Sequence, residues 1–142
     1  MAEFIIKPTS WEADKIALMT VRDAVFVQEQ KVPSSLESDD YDPVSTYVLA
    51  ESTDGAPIGC ARLQPNGKVT RIAVLSDWRR RGIAEKMLGK VIEIASEQGL
   101  TSLYLHAQLT AIALYEQHGF VQCGEQFEEA GIQHIKMTRK AN

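Results

Sequence analysis

Three strand-like segments in succession, joined by two turn sequences, constrain the fold of this chain more than any other feature. Residues 46–50, 58–63 and 69–75 are rich in apolar and β-branched side chains. Their connectors, TDGAP at 53–57 and PNG at 65–67, have the composition of hairpin turns. These segments are therefore predicted to form an antiparallel meander.

Helices are predicted on both sides of this meander. After it, from about Gly82 to Gln98, apolar residues repeat at the spacing of one helical face, and Gly99 then supplies a C-cap. Before it, a capping-box spacing that starts at Thr9 introduces a helix over residues 13–30. The residues expected to be buried in that first helix are Ile16, Met19, Ala24 and Phe26.

The remaining segments complete one domain. An opening strand at 4–6 is expected to stop at Pro8. A strand at 103–105, a short helix over 110–118, and two late strands around Phe120 and Ile135 follow the long helix. The order βα-βββ-αβ-αββ predicts a single mixed α/β (α+β) domain that spans residues 1–142.

Composition and charge exclude several classes of protein. The formal net charge of −4 over 142 residues argues against nucleic-acid binding, because phosphate backbones select basic surfaces. The start of the chain does not resemble a signal peptide, and no apolar run approaches the ~18 residues of a membrane span. Cys60 and Cys123 form no CxxC motif, so a reduced, cytoplasmic protein is expected. No metal-ligand spacing joins the three histidines.

The segment from Val74 to Ala84 has the features of an anion-binding site. A strand ends, a polar turn follows, and a long helix begins at Gly82. Helix N-termini offer unpaired backbone N–H groups, and glycine lets a phosphate approach closely. The arginines at 79, 80 and 81 add donors that suit phosphate oxygens. Taken alone, this arginine run is also compatible with a solvated basic surface.

The spacing Arg79-x-x-Gly82-x-Ala84, between a strand and a helix, resembles the R/Q-x-x-G-x-G/A motif of the GNAT superfamily of N-acetyltransferases. The resemblance implies that acetyl-coenzyme A binds at this turn. Its pyrophosphate would contact Arg79, Arg80, Arg81, Gly82, Ile83 and Ala84. Its pantetheine arm would lie along the backbone of Ile72, Ala73 and Val74, as a peptide does in strand addition.

The same resemblance implies a fold and extends over most of the chain. It covers roughly residues 4–140 in the order of elements as well as in motifs. The expected architecture is the GNAT-like acyl-CoA N-acyltransferase fold, a mostly antiparallel sheet with helices on both faces. The sheet would be splayed between its fourth and fifth strands, where coenzyme A would enter.

A second motif, QLTAIALYEQHGF at 108–120, is similar to the family's N-x-x-A-x-x-L/F-Y-x-x-x-G-F. The resemblance implies that Gln108, in place of the family's asparagine, would contact the cofactor. A phenol with an ordinary pKa of ~10 is protonated at neutral pH and can protonate a leaving thiolate. Tyr115 is therefore predicted to be the general acid, although a half-buried structural tyrosine is the alternative. The resemblance also makes the Val74 N–H the oxyanion donor.

Acidic residues cluster between Glu29 and Asp42. Residues 25–33 with the following ExDxxD sequence resemble the small bacterial ElaA-like subgroup, which commonly has histidine where this chain has Tyr47. Two interpretations stay open for this cluster: a carboxylate rim that attracts a cationic amine, or a solvated loop with turn hydrogen bonds. The cluster comprises Glu29, Glu37, Asp39, Asp40 and Asp42.

Two residues are candidates for the base that accepts the amine proton. Glu29 is the carboxylate expected to point inward, and His106 lies at the end of a strand near the expected splay. A structural role is the alternative for His106. His118 and His134 are expected at the surface.

The chain is thus predicted to be an N-acetyltransferase that moves acetyl from acetyl-coenzyme A directly to a primary amine, in a ternary complex and without a metal. The alternative is a non-catalytic coenzyme A sensor or interaction module on the same fold. The acceptor would be a small molecule or a protein amine, without nucleic-acid or membrane partners. A homodimer paired through the late strands is left open. Neither cysteine has an adjacent histidine that would support a covalent acyl carrier.

Overall fold

A computed structural model describes residues 3–140, and its elements follow the predicted order. The strands are β1 (Phe4–Ser10), β2 (Thr46–Ser52), β3 (Pro57–Leu63), β4 (Val69–Val74), β5 (Ser102–Gln108), β6 (Val121–Glu129) and β7 (Ile132–Lys140). The helices are α1 (Trp11–Arg22), which continues as a π-helical segment (Asp23–Glu29), α2 (Ser34–Glu37), α3 (Ile83–Glu97) and α4 (Ile112–Gln117). Residues 1, 2, 141 and 142 of the predicted domain lie outside the described residues.

The strands form two antiparallel sheets, in the orders β1-β2-β3-β4 and β5-β7-β6. A parallel bridge between Lys68 and Tyr104 joins them, and the Tyr104 N–H donates to the Gly67 carbonyl at 3.1 Å. Beyond this bridge β4 and β5 share no ladder. The predicted opening between the fourth and fifth strands is therefore confirmed.

Helices cover both faces of the first sheet, as predicted. Alternate residues of a strand point to opposite faces. On β2, Tyr47 and Leu49 pack with Leu18 of α1, whereas Val48 packs in a second cluster with Met87 of α3. The sheet thus separates two apolar layers and is held rigidly between α1 and α3.

The first strand continues through Pro8 to Ser10, so the prediction that Pro8 ends it is wrong. β1 is an edge strand, and an edge strand tolerates proline because its outer side needs no backbone donor. The N-cap of α1 is Ser10 rather than Thr9, since the Ser10 hydroxyl accepts a hydrogen bond from the Ala13 N–H at 3.2 Å. The Thr9 hydroxyl donates instead to the Asp14 carboxylate at 2.6 Å.

The buried face of α1 also differs from the predicted one. Leu18, Val21 and Arg22 are buried, whereas Ile16 is 85% exposed. The backbone of α1 is not helical at Asp14 (φ −133°, ψ 32°), which kinks the helix. After this kink, the side of the helix that carries Arg22 faces the core. Three other residues predicted to be buried are only partly buried: Met19, Ala24 and Phe26.

A buried ionic network fixes the segment between α1 and β2. The Arg22 guanidinium donates to the Glu37 carboxylate at 2.7 Å and to the Asp42 carboxylate at 2.8 Å. The Tyr47 hydroxyl donates to the same Asp42 oxygen at 3.0 Å. Arg22, Glu37 and Asp42 are each at most 3% exposed. This network attaches the segment to the helix and to the sheet.

Two arginines of the sheet complete the network. Arg62 of β3 donates to Asp39 and to Asp42, both at 2.7 Å. Arg71 of β4 donates to the Glu37 carboxylate at 2.9 Å. Three guanidinium groups thus face three carboxylates. Burial alone would raise the pKa of Asp39 and the pKa of Asp42, but the neighbouring arginines outweigh it and hold both pKa values below the ordinary one.

Replacing Asp42 should destabilise the protein strongly. Asp42→Ala would leave Arg22 and Arg62 buried without their shared carboxylate, which typically costs about 3–5 kcal/mol in free energy of unfolding. Asp40→Ala, at an exposed position nearby, should change it by less than about 0.5 kcal/mol. Urea unfolding of the two variants measures the difference. Equal stabilities would show that the network does not hold this segment.

Candidate functional site

A large cleft opens where the two sheets separate. Its volume is about 930 Å³, and its walls come from β4, β5, the π-helical segment, α4 and the β6–β7 end. Several of the residues predicted for the site line it: Glu29, Ile72, Ala73, Val74, Arg79, Ala84, His106, Gln108 and Tyr115. The fold therefore brings residues from distant parts of the sequence to one place.

The β4 wall presents free backbone groups. The Leu75 N–H donates to the Ile58 carbonyl at 2.9 Å, and hydrogen-bonded positions alternate along an antiparallel ladder. Ala73 therefore faces β3 with its backbone groups, whereas those of Ile72 and Val74 face the cleft. Of the three residues predicted for the pantetheine arm, Ile72 thus offers its backbone to the cleft and Ala73 does not. Val74 offers its N–H, because its carbonyl accepts from Arg79 Nε at 2.9 Å.

An irregularity in β4 supports this opening. Between the pairs Cys60–Ala73 and Arg62–Thr70, β4 contains one residue more than β3, which is a β-bulge. Arg71 at the bulge has φ +55°, in the left-handed region that non-glycine residues seldom adopt. Its side chain is fixed by the ionic network, so the network also holds the bulge that bends β4 at the cleft.

The turn before α3 has an open helix N-terminus. Gly82 precedes the helix with φ +79°, and no side chain caps the first turn. A Cβ built on Gly82 would meet no atom within 4 Å, so the space above it is free. The first N–H groups of a helix have no partner within it and carry the positive end of the macrodipole. Backbone amides around Gly82, Ile83 and Ala84 can therefore hold an anion.

The three arginines of this turn differ in their contacts. Arg79 donates through Nε to the Val74 carbonyl at 2.9 Å and forms a bidentate pair with the Glu29 carboxylate at 2.6 and 2.7 Å. Arg81 lies 4.7 Å above the Trp78 ring. Arg80 is exposed and has no hydrogen-bond partner within residues 3–140. Arg79 therefore joins the turn to the π-helical segment.

Tyr115 lies on α4 with its side chain 8% exposed and contributes to the cleft wall. Its ring packs edge-on against Phe120, with 6.0 Å between the ring centroids. The hydroxyl has no hydrogen-bond partner among the residues that the structure describes. Burial raises the pKa of Tyr115 to about 12, so the phenol keeps its proton at neutral pH.

His106 and Glu129 form a pair on the opposite wall. His106 Nδ1 lies 3.2 Å from a Glu129 carboxylate oxygen, and the His106 ring stands edge-on to Phe127 with centroids 5.0 Å apart. A carboxylate at Nδ1 favours the tautomer with its proton there and leaves Nε2 as the acceptor. Burial lowers the pKa of His106, and the Lys68 charge lowers it further against the opposing Glu129 carboxylate. The imidazole is therefore neutral at neutral pH.

Gln108 and His134 occupy positions that the sequence did not indicate. The Gln108 side-chain amide donates to the Gln30 side-chain carbonyl at 3.1 Å, which connects β5 to the segment after the π-helical segment.

His134 was expected at the surface but is 7% exposed and lines the cleft, because its β7 position lies opposite Gln108 and Phe127 in the sheet. His118 is half-buried, with Nδ1 against the Leu114 carbonyl at 3.1 Å.

The carboxylate-rim hypothesis is wrong for Glu37 and Asp42, which are buried in ion pairs with arginines. Asp39 is also paired, with Arg62 at 2.7 Å. Glu29 does reach the cleft, but its pair with Arg79 holds the pKa of the Glu29 carboxyl below its ordinary value. A carboxylate that is paired and easily ionised is a weak proton acceptor.

Within residues 3–140, no three His, Cys, Asp or Glu side chains come together as a metal ion would require. None of the helices in that range is both long and apolar enough to cross a membrane. The possible ligand-binding features are thus the free β4 edge, the uncapped α3 turn and the polar side chains around His106.

Comparison with known proteins agrees with this architecture. The family described as acetyltransferase (GNAT) domain matches residues 12–141. The uncharacterised N-acetyltransferase YjcF of Bacillus subtilis is 32% identical over 123 residues, 84% of this chain and 87% of that protein. The chain belongs to the GNAT acetyltransferase family.

Two solved structures are similar over nearly their whole length. An acyl-CoA N-acyltransferase from Pseudomonas aeruginosa has a TM-score of 0.83 and 29% identity, with 98% of this chain and 99% of that chain covered. Escherichia coli ElaA has a TM-score of 0.85 and 25% identity, with 95% and 99% covered. The predicted acyl-CoA N-acyltransferase fold and the likeness to ElaA are both confirmed.

The charges around His106 should be measurable in its titration. Glu129→Gln should lower the pKa of His106, because it removes the carboxylate that stabilises the imidazolium. Lys68→Gln should raise it, because it removes a nearby positive charge. NMR titration of the His106 ring signals in the three proteins measures both effects. Shifts in the same direction, or none, would contradict the arrangement.

Proposed function

We propose that this protein is an acetyl-coenzyme A-dependent N-acetyltransferase that acts on a primary amine. The observation that carries the proposal is that the open edge of β4 lines the same cleft as Arg79 and Ala84, which flank the uncapped N-terminus of α3. A thioester cofactor with an extended amide-bearing arm and a diphosphate needs both features. The family to which the chain belongs is one of acetyltransferases, which supports this choice.

In this proposal the turn before α3 binds the pyrophosphate. The N–H groups around Gly82, Ile83 and Ala84 donate to its oxygens, and the free space above Gly82 accommodates them. Arg80 adds a charge that no described residue neutralises, whereas Arg79 acts by joining the turn to Glu29. The pantetheine arm then hydrogen-bonds the exposed backbone of Ile72, because the Val74 carbonyl already accepts from Arg79 and the Val74 N–H is left for the thioester oxygen.

The chemistry follows from the groups around the thioester. The amine nitrogen attacks the thioester carbonyl, and the Val74 N–H stabilises the oxyanion that forms. The carbon–sulfur bond then breaks, and Tyr115 donates its proton to the leaving thiolate. With a pKa of about 12, Tyr115 is a proton donor throughout the neutral range.

His106 is the better candidate for the base. Its Nε2 is free when Glu129 holds the Nδ1 proton, and its lowered pKa keeps it unprotonated at neutral pH. Glu29 is instead occupied by Arg79. His106 accepts the proton that the attacking amine loses, and Glu129 acts as a positioning residue.

Direct transfer in a ternary complex is favoured over an acyl-enzyme. Cys60 is buried, and burial raises its pKa to about 12, so it provides almost no thiolate. Cys123 is exposed on β6 and is not among the residues that line the cleft. Both thiols are free, which suits the reducing cytoplasm that we propose for this reaction.

Gly82→Glu should abolish coenzyme A binding, because it places a side chain and a negative charge where the diphosphate would lie. Gly82→Ala is the matched control, since it brings the same backbone strain at φ +79° without the long side chain and the charge. Titration calorimetry with coenzyme A measures both affinities. Unchanged affinity in Gly82→Glu, or an equal loss in both variants, would contradict this site.

Tyr115→Phe and His106→Gln should each lower kcat by about 10²-fold, the usual range for general acid–base catalysis. Coenzyme A affinity should change little in either variant, because neither side chain contacts the diphosphate turn. Glu29→Gln should leave kcat close to that of the wild type. Release of free thiol from acetyl-coenzyme A over an amine panel is the assay. Binding without turnover of any amine would instead indicate a non-catalytic coenzyme A-binding module.

A further inference from the structure

We infer that the acceptor amine carries an anionic group, a carboxylate or a phosphate, and that Lys68 binds this group beside His106. The inference rests on the proposed function and names its substrate class. It departs from the hypothesis of a carboxylate rim that attracts a cationic amine.

Lys68 is a cation of the cleft wall that has no partner within the described residues. Apart from Glu129, which lies against the neutral His106 imidazole, the carboxylates of its wall are paired with arginines: Glu29 with Arg79, Glu37 and Asp39 with Arg71, and Asp39 also with Arg62. Lys68 also lines the cleft, yet its ammonium has no ion-pair or hydrogen-bond partner among residues 3–140. The wall thus offers a positive charge that a substrate anion can neutralise.

Lys68 lies on the same side of the sheets as His106. Val69, Leu103 and Leu105 point into the core that contains α3. Their strand neighbours therefore point to the opposite face. Because Lys68 is bridged to Tyr104, the side chains of Lys68 and His106 share the face of the cleft. This arrangement also explains why the charge of Lys68 acts on His106.

Lys68 directly precedes β4, at the end of that strand away from the α3 turn, so it cannot contact the coenzyme A diphosphate. Five residues lie between Lys68 and Val74, which is at most about 20 Å of chain because the bulge at Arg71 shortens it, and the turn with Gly82 lies farther on. The Lys68 end is where the two sheets join, away from the α3 turn. The cleft therefore has two separate positive regions, one for each substrate.

The two charges near His106 suit a bifunctional acceptor. The Glu129 carboxylate lies 3.2 Å from Nδ1 of the neutral His106 imidazole, so a protonated amine is attracted to the His106–Glu129 pair. An anionic group on the same molecule would lie against the Lys68 ammonium. Amines with a carboxylate or phosphate on a chain long enough to reach Lys68 have this combination of charges, whereas polyamines do not.

The test is a panel of primary amines in matched sets, in which the group distant from the amine is a carboxylate, a phosphate, an uncharged amide or a second amine. Wild-type protein should show higher kcat/KM for a carboxylate or phosphate member than for its uncharged counterpart. Lys68→Gln should raise KM for that anionic member by about tenfold, the worth of one charge-assisted hydrogen bond. KM for the uncharged members and for acetyl-coenzyme A should not change.

Two further variants sharpen the result. Lys68→Glu should favour the diamine members over the anionic ones, and Lys90→Gln, at a position on α3 away from the cleft, should behave as wild type. Turnover of amines without preference for anionic members, or an equal effect of Lys68→Gln on all members, would overturn this inference alone. No turnover of any amine, with coenzyme A still bound, would overturn the proposed function and the inference with it.

Discussion

The separation of β4 from β5 is the constraint on which the rest of this structure depends. A strand inside a sheet normally uses both of its edges, and buried backbone groups without partners are costly. Here β4 is paired with β3 on one side, whereas Ile72 and Val74 face a cleft on the other. The fold keeps a strand edge open at its centre, and an extended amide-bearing ligand is the natural partner for such an edge.

Keeping that edge open requires rigid walls, and the buried ionic network supplies one of them. It connects α1, the segment before β2, and strands β3 and β4 through paired charges, of which Arg22, Arg62, Glu37 and Asp42 are buried and Arg71 is partly exposed. Arg71 belongs both to this network and to the bulge in β4. The acidic residues that look like a substrate rim in sequence are thus part of the support of the site.

The sequence was sufficient for features that depend on local pattern. The meander, the long helix, the glycine at its N-terminus and the tyrosine of α4 follow from periodicity, turn residues and two motifs. Features that depend on distant partners were missed. Burial of Glu37 and Asp42 requires Arg22 and Arg62, and the pairing of His106 with Glu129 requires the register of β5, β7 and β6. A lone carboxylate or histidine in sequence does not reveal its partner.

The central claim is that the open β4 edge and the α3 turn bind one ligand together. An amide NMR titration with acetyl-coenzyme A tests it most directly, because it reports on each backbone N–H separately. The account predicts large shifts for Val74 and for residues 82–84 at the same ligand concentration, with little change on the outer strands β1 and β6. Shifts confined to the arginine turn, or absent from both segments, would contradict it.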